Sequence, residues 1–170
     1  MRGTDVSVVL DLMIHDLEVI LHLVRSPLSD LRAVGVPVLS STEDISNARL
    51  EFENGCVANV TSSRISPEQM RKIRVFTSDS YISLDYKKQA GEIYRRGEGQ
   101  IHRESVPVEK GDQLTRELRA FAACVAARGR PQVSGEEAHE ALKLAVRVIE
   151  SGQRTEMSRA QTENPDRGRG

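Results

Sequence analysis

The sequence predicts an α+β fold: an open, predominantly antiparallel β-sheet with helices packed on one face. Three observations lead there. Residues 6–24 form a nearly continuous apolar helical stretch, residues 32–108 break into short alternating segments punctuated by turn residues, and two helical patterns follow at 112–128 and 135–151. Helices and strands segregated along the chain pack as separate layers, whereas parallel sheets need them to alternate.

Each element has a local reason. Thr4 or Asp5 is expected to cap the Val6–Val24 helix by accepting from first-turn amides, and Ser26-Pro27 to end it, because the residue before proline avoids helical geometry. Arg32–Ser40 reads as a strand in which Pro37 marks an edge or bulge. Ala48–Glu53 alternates strictly, Asn54-Gly55 follows, and Cys56–Arg64 returns. Asn-Gly supplies the positive φ values of a type I′ turn, so this is a hairpin. Lys72–Ser78, Tyr81–Tyr86, Gly91–Arg96 and His102–Val108 form a meander joined by short turns.

Asp112–Arg128 then carries Leu114, Leu118, Phe121, Ala122 and Val125 at helical spacing, and Gly129-Arg130-Pro131 closes it. Ser134 and Glu137 make a capping box for Gly135–Ser151, whose inner face is expected at Leu142, Ala145, Val146 and Ile149. Gly152 is expected to stop that helix. Residues 1–152 thus read as one domain, and 153–170, polar and aperiodic, as a disordered tail.

Composition narrows the function. The chain has 170 residues, with 24 basic against 25 acidic side chains and a net charge of -1. Proteins that coat nucleic acid or anionic membranes need a basic excess, so neither partner is expected. Asp11, His15, Asp16, Glu18 and His22 interrupt the apolar stretch, which is therefore too polar for a membrane span. No leader peptide is apparent. Cys56 and Cys124, in apolar surroundings and without metal spacing, read as free thiols of a cytoplasmic protein.

One pattern carries chemistry. At roughly 100° per residue, Asp11, His15, Glu18 and His22 share one stripe of the first helix. A carboxylate one turn from an imidazole orients the ring and makes it a proton acceptor near neutrality. The stripe is equally explained as the wet face of an amphipathic helix. Convergence of its His and Glu on a cation is a third reading, although the His-Glu-x-x-His spacing is missing, and no metal is expected. His102 and His139 have no matching cluster. Asp16, about 100° from His15, either pairs with a neighbouring cation or amide or touches substrate.

The string DLMIHDLEVILHLV resembles the Asp-x-x-x-His segment of NAD(P)-dependent oxidoreductases of the glucose–fructose oxidoreductase / inositol dehydrogenase / rhizopine-catabolism (Gfo/Idh/MocA) family. ISNARLEFENGCVANVTSSR and GRPQVSGEEAHEALKLAVRVIESG resemble two later segments of that family in order and spacing. The resemblance covers Asp5–Gly152. It implies a dihydrodipicolinate-reductase-like C-terminal domain whose sheet forms a substrate wall and a homo-oligomer interface. It further implies a sugar, nucleotide-sugar or polyol substrate, with Asp11, His15 and Asp16 touching it. Asp11 would position a hydroxyl, and His15 would take its proton as hydride leaves for NAD or NADP.

The sequence also departs from the family. No Gly-x-Gly-x-x-Gly follows a strand, Gly97-Glu98-Gly99 lies between two predicted strands, and the family's Glu-Lys-Pro segment is absent. With Met1 close before the first helix, the chain resembles a C-terminal half whose Rossmann domain is supplied in cis or in trans, or is lost by truncation. Arg64, Arg71 and Lys72 read either as solvated strand-end cations or as groups meeting a phosphorylated sugar. The readings left open are half of a dehydrogenase, a free-standing oligomerisation module, and a metal-dependent hydrolase using the helix stripe.

Overall fold

The structure is a computed structural model that describes residues 5–68 and 70–163, with side chains placed through Glu156. The expected α+β class holds. A π-helical turn, Val9–Met13, leads into α1, Ile14–Val24. Seven strands follow: β1 Leu28–Val36, β2 Ile45–Phe52, β3 Val57–Ser63, β4 Lys72–Phe76, β5 Ser80–Asp85, β6 Ala90–Arg96 and β7 Ile101–Val106. Helices α2, Gln113–Ala126, and α3, Gly135–Glu163, close the chain. All strand pairing is antiparallel, and the strands form two sheets, β1-β2-β3 and β4-β5-β6-β7. The chain divides into two compact units: residues 1–66 with 132–170, and residues 67–131.

In the first unit the sheet alternates between a polar outer face and an inner face that meets the helices. Ala48, Leu50 and Phe52 of β2 are buried, while Asn47 and Arg49 on its other face are exposed. The inner rows run across the strands as Leu31–Leu50–Ala58, Ala33–Ala48–Val60 and Gly35–Ser46–Ser62. Val8, Val9, Met13 and Leu17 from one side, and Leu144, Ala145 and Val148 from the other, complete the core.

Several local expectations change. The first helix is capped by Ser7, whose Oγ accepts from Val9 N at 3.2 Å and whose carbonyl accepts from Leu10 and Asp11. Asp5 sits in a turn before it, and Thr4 lies outside the described residues. The helix ends at Val24, with Arg25 in the left-handed region at φ 49°. The first strand begins at Leu28 and stops before Pro37, which cannot extend the ladder. The Asn54-Gly55 hairpin forms, but only Gly55 has positive φ (82°), and Gly55 N donates to Phe52 O at 2.9 Å. That is a three-residue loop built on a type I turn, in place of the expected type I′.

The capping box of α3 is reciprocal: Ser134 N donates to Glu137 Oε2 at 2.8 Å, and Glu137 N donates to Ser134 Oγ at 3.3 Å. Its buried face is Ala141, Leu144, Ala145 and Val148, whereas Leu142 and Val146 are exposed. The helix is thus turned about 100° from the expected face, one residue's worth of rotation. It also runs through Gly152 to Glu163. A Cβ on Gly152 would lie 3.3 Å from Gly35 N, so this glycine serves close helix–strand approach and not termination. The end of the expected tail, 164–170, lies outside the described residues.

The second unit holds the meander at the expected strands. Phe76 stacks on Tyr81 (centroids 4.9 Å) and Tyr81 on Tyr94 (5.5 Å), with the Arg103 guanidinium 5.9 Å from the Tyr94 ring centre. Asp112 caps α2 by accepting from Thr115 N. The helix ends with Arg128 at φ 50°, the Arg128 amide donating to Val125 O and the Gly129 amide to Cys124 O. The left-handed residue of this C-cap is therefore Arg128 and not Gly129. The apolar stripe Leu114, Leu118, Phe121 and Val125 is exposed.

Candidate functional site

The first helix owes its orientation to its apolar spacing. Val9, Met13 and Leu17 recur every four residues and all point into the core. Asp11 and His15 each lie two residues from Met13, roughly on the opposite side of the helix. Both are exposed. Neither side chain spends itself on a hydrogen bond or ion pair among the described residues, so both are available to a ligand. The π-turn matters here. Ile14 N donates to Val9 O, five residues back, so the turn holding Asp11 is wider than an α-turn. Such turns recur at functional sites because they re-aim side chains without breaking the helix.

The expected stripe divides in two. Glu18 and His22 line a groove of about 720 Å³ together with Arg25, Glu136, Glu140 and Arg147. Asp11 and His15 do not line it. Asp16 is half-buried and already engaged in an interaction of its own. Among the described residues no three His, Cys, Asp or Glu side chains converge as metal ligands.

The three cations separate as well. Lys72 pairs with Asp85 at 3.6 Å, and Arg71 lies 5.7 Å from the centre of the Tyr86 ring. Arg64 turns inward and is nearly buried. Its guanidinium donates to Val6 O, its Nε lies 3.7 Å from Asp44 Oδ1, and its backbone N–H donates to Asp44 O at 3.0 Å.

Asp44 was not singled out from the sequence. It is fully buried, and its Oδ2 accepts from the backbone N–H groups of Val38 (2.8 Å), Leu39 (2.6 Å) and Ser40 (2.9 Å). Ser40 Oγ donates to its Oδ1 at 2.9 Å. These bonds, that from Leu39 foremost, hold the carboxyl well below the usual carboxylate range against the opposing effect of burial. The local signal was only a Ser-Thr-Glu-Asp run after Pro37. Such a run ordinarily reads as a solvated loop, because nothing local shows that its last carboxylate turns inside.

Gly97 and Gly99 lie in the β6–β7 turn, where Gly97 N donates to Gln100 O at 2.9 Å. They close a hairpin and open no helix, so they do not cradle a pyrophosphate. Cys56 and Cys124 are free and half-buried. Among the described residues no helix is long and apolar enough to cross a membrane.

The family description for the GFO/IDH/MocA C-terminal domain matches residues 2–83. The UDP-N-acetylglucosamine 3-dehydrogenase of Acidithiobacillus ferrooxidans is 35% identical over 153 residues, which cover 86% of this chain and 49% of that protein. This chain therefore spans about half the length of the curated relative it matches. A solved structure of the same dehydrogenase superposes with a TM-score of 0.81 at 35% identity, covering 88% of this chain and 48% of the other. A levoglucosan dehydrogenase, solved with NADH and levoglucosan, gives a TM-score of 0.74 at 15% identity over 85% of this chain and 48% of its own. At that identity the likeness is one of fold.

Proposed function

Since this chain belongs to the Gfo/Idh/MocA family as a C-terminal domain, we propose that it is the substrate-binding half of an NAD(P)-dependent dehydrogenase acting on a sugar hydroxyl. A nucleotide sugar is the favoured substrate, because the relative at 35% identity is a UDP-N-acetylglucosamine 3-dehydrogenase. The observation that carries the reading is the pair Asp11 and His15, exposed and unspent on the outer side of a helix whose inner side is locked in the core.

In this reading Asp11 accepts a hydrogen bond from a substrate hydroxyl and fixes its orientation. His15, about one turn further along, takes the hydroxyl proton, and loss of that proton eases departure of hydride from the same carbon. The sequence holds no Gly-x-Gly-x-x-Gly turn between a strand and a helix, so in this reading a separate nucleotide-binding half would carry the nicotinamide. When bound, that group supplies the hydride acceptor. Asp16, half-buried beside His15, is a supporting contact to substrate or to the helix itself.

The test is reconstitution. Joined to or mixed with a nucleotide-binding half of the related dehydrogenase, the chain is expected to reduce NAD(P) in the presence of UDP-N-acetylglucosamine. His15→Ala should lower kcat by about 10²–10⁴-fold, the usual worth of a positioned base. A restored rate indifferent to His15→Ala would overturn the assignment.

A second property is favoured by a separate observation: self-association through the four-stranded sheet. Phe76, Tyr81, Tyr94 and Arg103 form one cross-strand row on a single face. On that face Lys72 pairs with Asp85, and Arg103 pairs with Glu92. A face that neutralises these charges internally loses less when a second copy covers it.

A further inference from the structure

We propose that Arg64 and Asp44 form a positioning device that holds the π-turn wide and so sets Asp11 relative to His15. The inference rests on the Asp11/His15 reading above and extends it to residues that touch neither substrate nor cofactor.

Two tethers converge on the start of the first helix. Arg64 reaches from the end of β3 to donate to the Val6 carbonyl. Glu43, the residue before Asp44, accepts from Val8 N at 3.0 Å. Asp44 anchors both. It accepts from three successive loop amides with one oxygen, its carbonyl accepts from Arg64 N, its own N–H donates to Val36 O at 3.0 Å, and its other oxygen faces the Arg64 guanidinium. The β1–β2 loop, the end of β3 and the lead into the helix are therefore tied at one buried carboxylate. Ser7, between the two tethered residues, receives the Asp11 amide on its carbonyl at 3.1 Å. Asp44 is thus linked to the turn that carries Asp11 by the Asp44–Arg64 and Arg64–Val6 hydrogen bonds, the Val6–Ser7 backbone, and the bond from the Asp11 amide to Ser7 O.

Stability alone does not account for this arrangement. Bringing a carboxylate and a guanidinium out of water costs several kcal/mol, and apolar residues of similar volume commonly do as well or better. What a buried ion pair adds, when each member is hydrogen-bonded to fixed backbone groups, is a defined geometry. The element it defines here is an irregular one, a π-turn, which an unrestrained helix start would relax to the ordinary α-form. At α-helical spacing Asp11 and His15 stand about 40° apart around the axis, whereas the wider turn rotates the residues between Val9 and Ile14 relative to α1, so relaxing the turn changes the angle between the two side chains.

The experiment uses the full chain with Arg64→Met and Arg64→Lys. Amide hydrogen exchange reads the turn directly, without reference to any activity. In Arg64→Met the amides of Val9–Ile14 should exchange about tenfold faster while those of Leu17–Val24 keep their protection, as local opening requires. In the reconstituted dehydrogenase the same variant should lose about tenfold or more in kcat with little change in KM, the pattern of an interaction needed in the transition state. Arg64→Lys, keeping a donor to Val6 O, should recover part of both effects. Unchanged exchange over Val9–Ile14 in Arg64→Met would overturn the coupling. So would faster exchange spread evenly over the whole first unit, the mark of a merely structural pair. If His15→Ala instead leaves the restored rate intact, the dehydrogenase reading fails while the exchange result still decides whether Arg64 holds the turn.

Discussion

Single residues in this chain are decided by what they are bonded to more than by their type. Asp44 and Asp11 have the same side chain; one is sealed behind three amides and a hydroxyl, the other is exposed and unspent. The consequence is a pH dependence. A carboxyl held below its ordinary value of 3.8 contributes stability above that value and loses it as protons compete below it. Denaturant midpoints measured from pH 7 downwards should stay level to about pH 4 and then fall steeply, with Asp44 protonation a principal cause. Asp44→Asn should begin with a lower midpoint at pH 7 and show a shallower fall. A variant whose acid profile parallels the parent's would place the cause elsewhere, for example in Asp79, Asp85, Asp112 or Glu140, which hydrogen bonds also hold low.

At the scale of elements, the contact between α3 and β1 decides how the first unit closes. β1 is an edge strand, and a buried edge needs partners for its outward backbone groups. Helix α3 provides them with side chains: Ser151 Oγ accepts from Ala33 N at 3.1 Å, and Thr155 Oγ1 donates to Ala33 O at 3.0 Å. Gly152, between them in sequence, lets the helix come close enough for both bonds. Ser151→Ala leaves the Ala33 N–H without that acceptor and should cost about 1–3 kcal/mol. A thermal melt is the measurement, and no shift in midpoint would show that water replaces the serine. This contact also explains why the helix does not end at Gly152, since its next turn is needed to present Thr155.

At the scale of the whole molecule, the sheet face carrying the Phe76–Tyr81–Tyr94 ladder bears on assembly. If a second copy covers that face, light scattering should give a dimer mass. Phe76→Glu, at a side chain 75% exposed, should then shift the mass towards the monomer while circular dichroism keeps the parent's secondary structure. A monomer from the parent chain at high concentration would remove the interface. The chain forms two compact units, one of which it enters, leaves and re-enters. Periodicity could not show this, because the strands of both sheets have the same alternation and the joint between β3 and β4 carries no glycine- or proline-rich linker beyond Pro67.

The sequence by itself determined the α+β class, the order of strands, the existence of the hairpin, the capping box and the candidate pair Asp11/His15, because each is written in spacings of a few residues. Tertiary structure alone decided which face of α3 is inward, why Gly152 continues a helix, and that Asp44 and Arg64 lie inside. Those outcomes depend on partners far apart in the chain: Ala33 and Ser151 are 118 residues apart, and Val6 and Arg64 are 58. A local pattern records what a segment can form. Which of its polar groups leave water is settled only when a distant segment arrives to receive them.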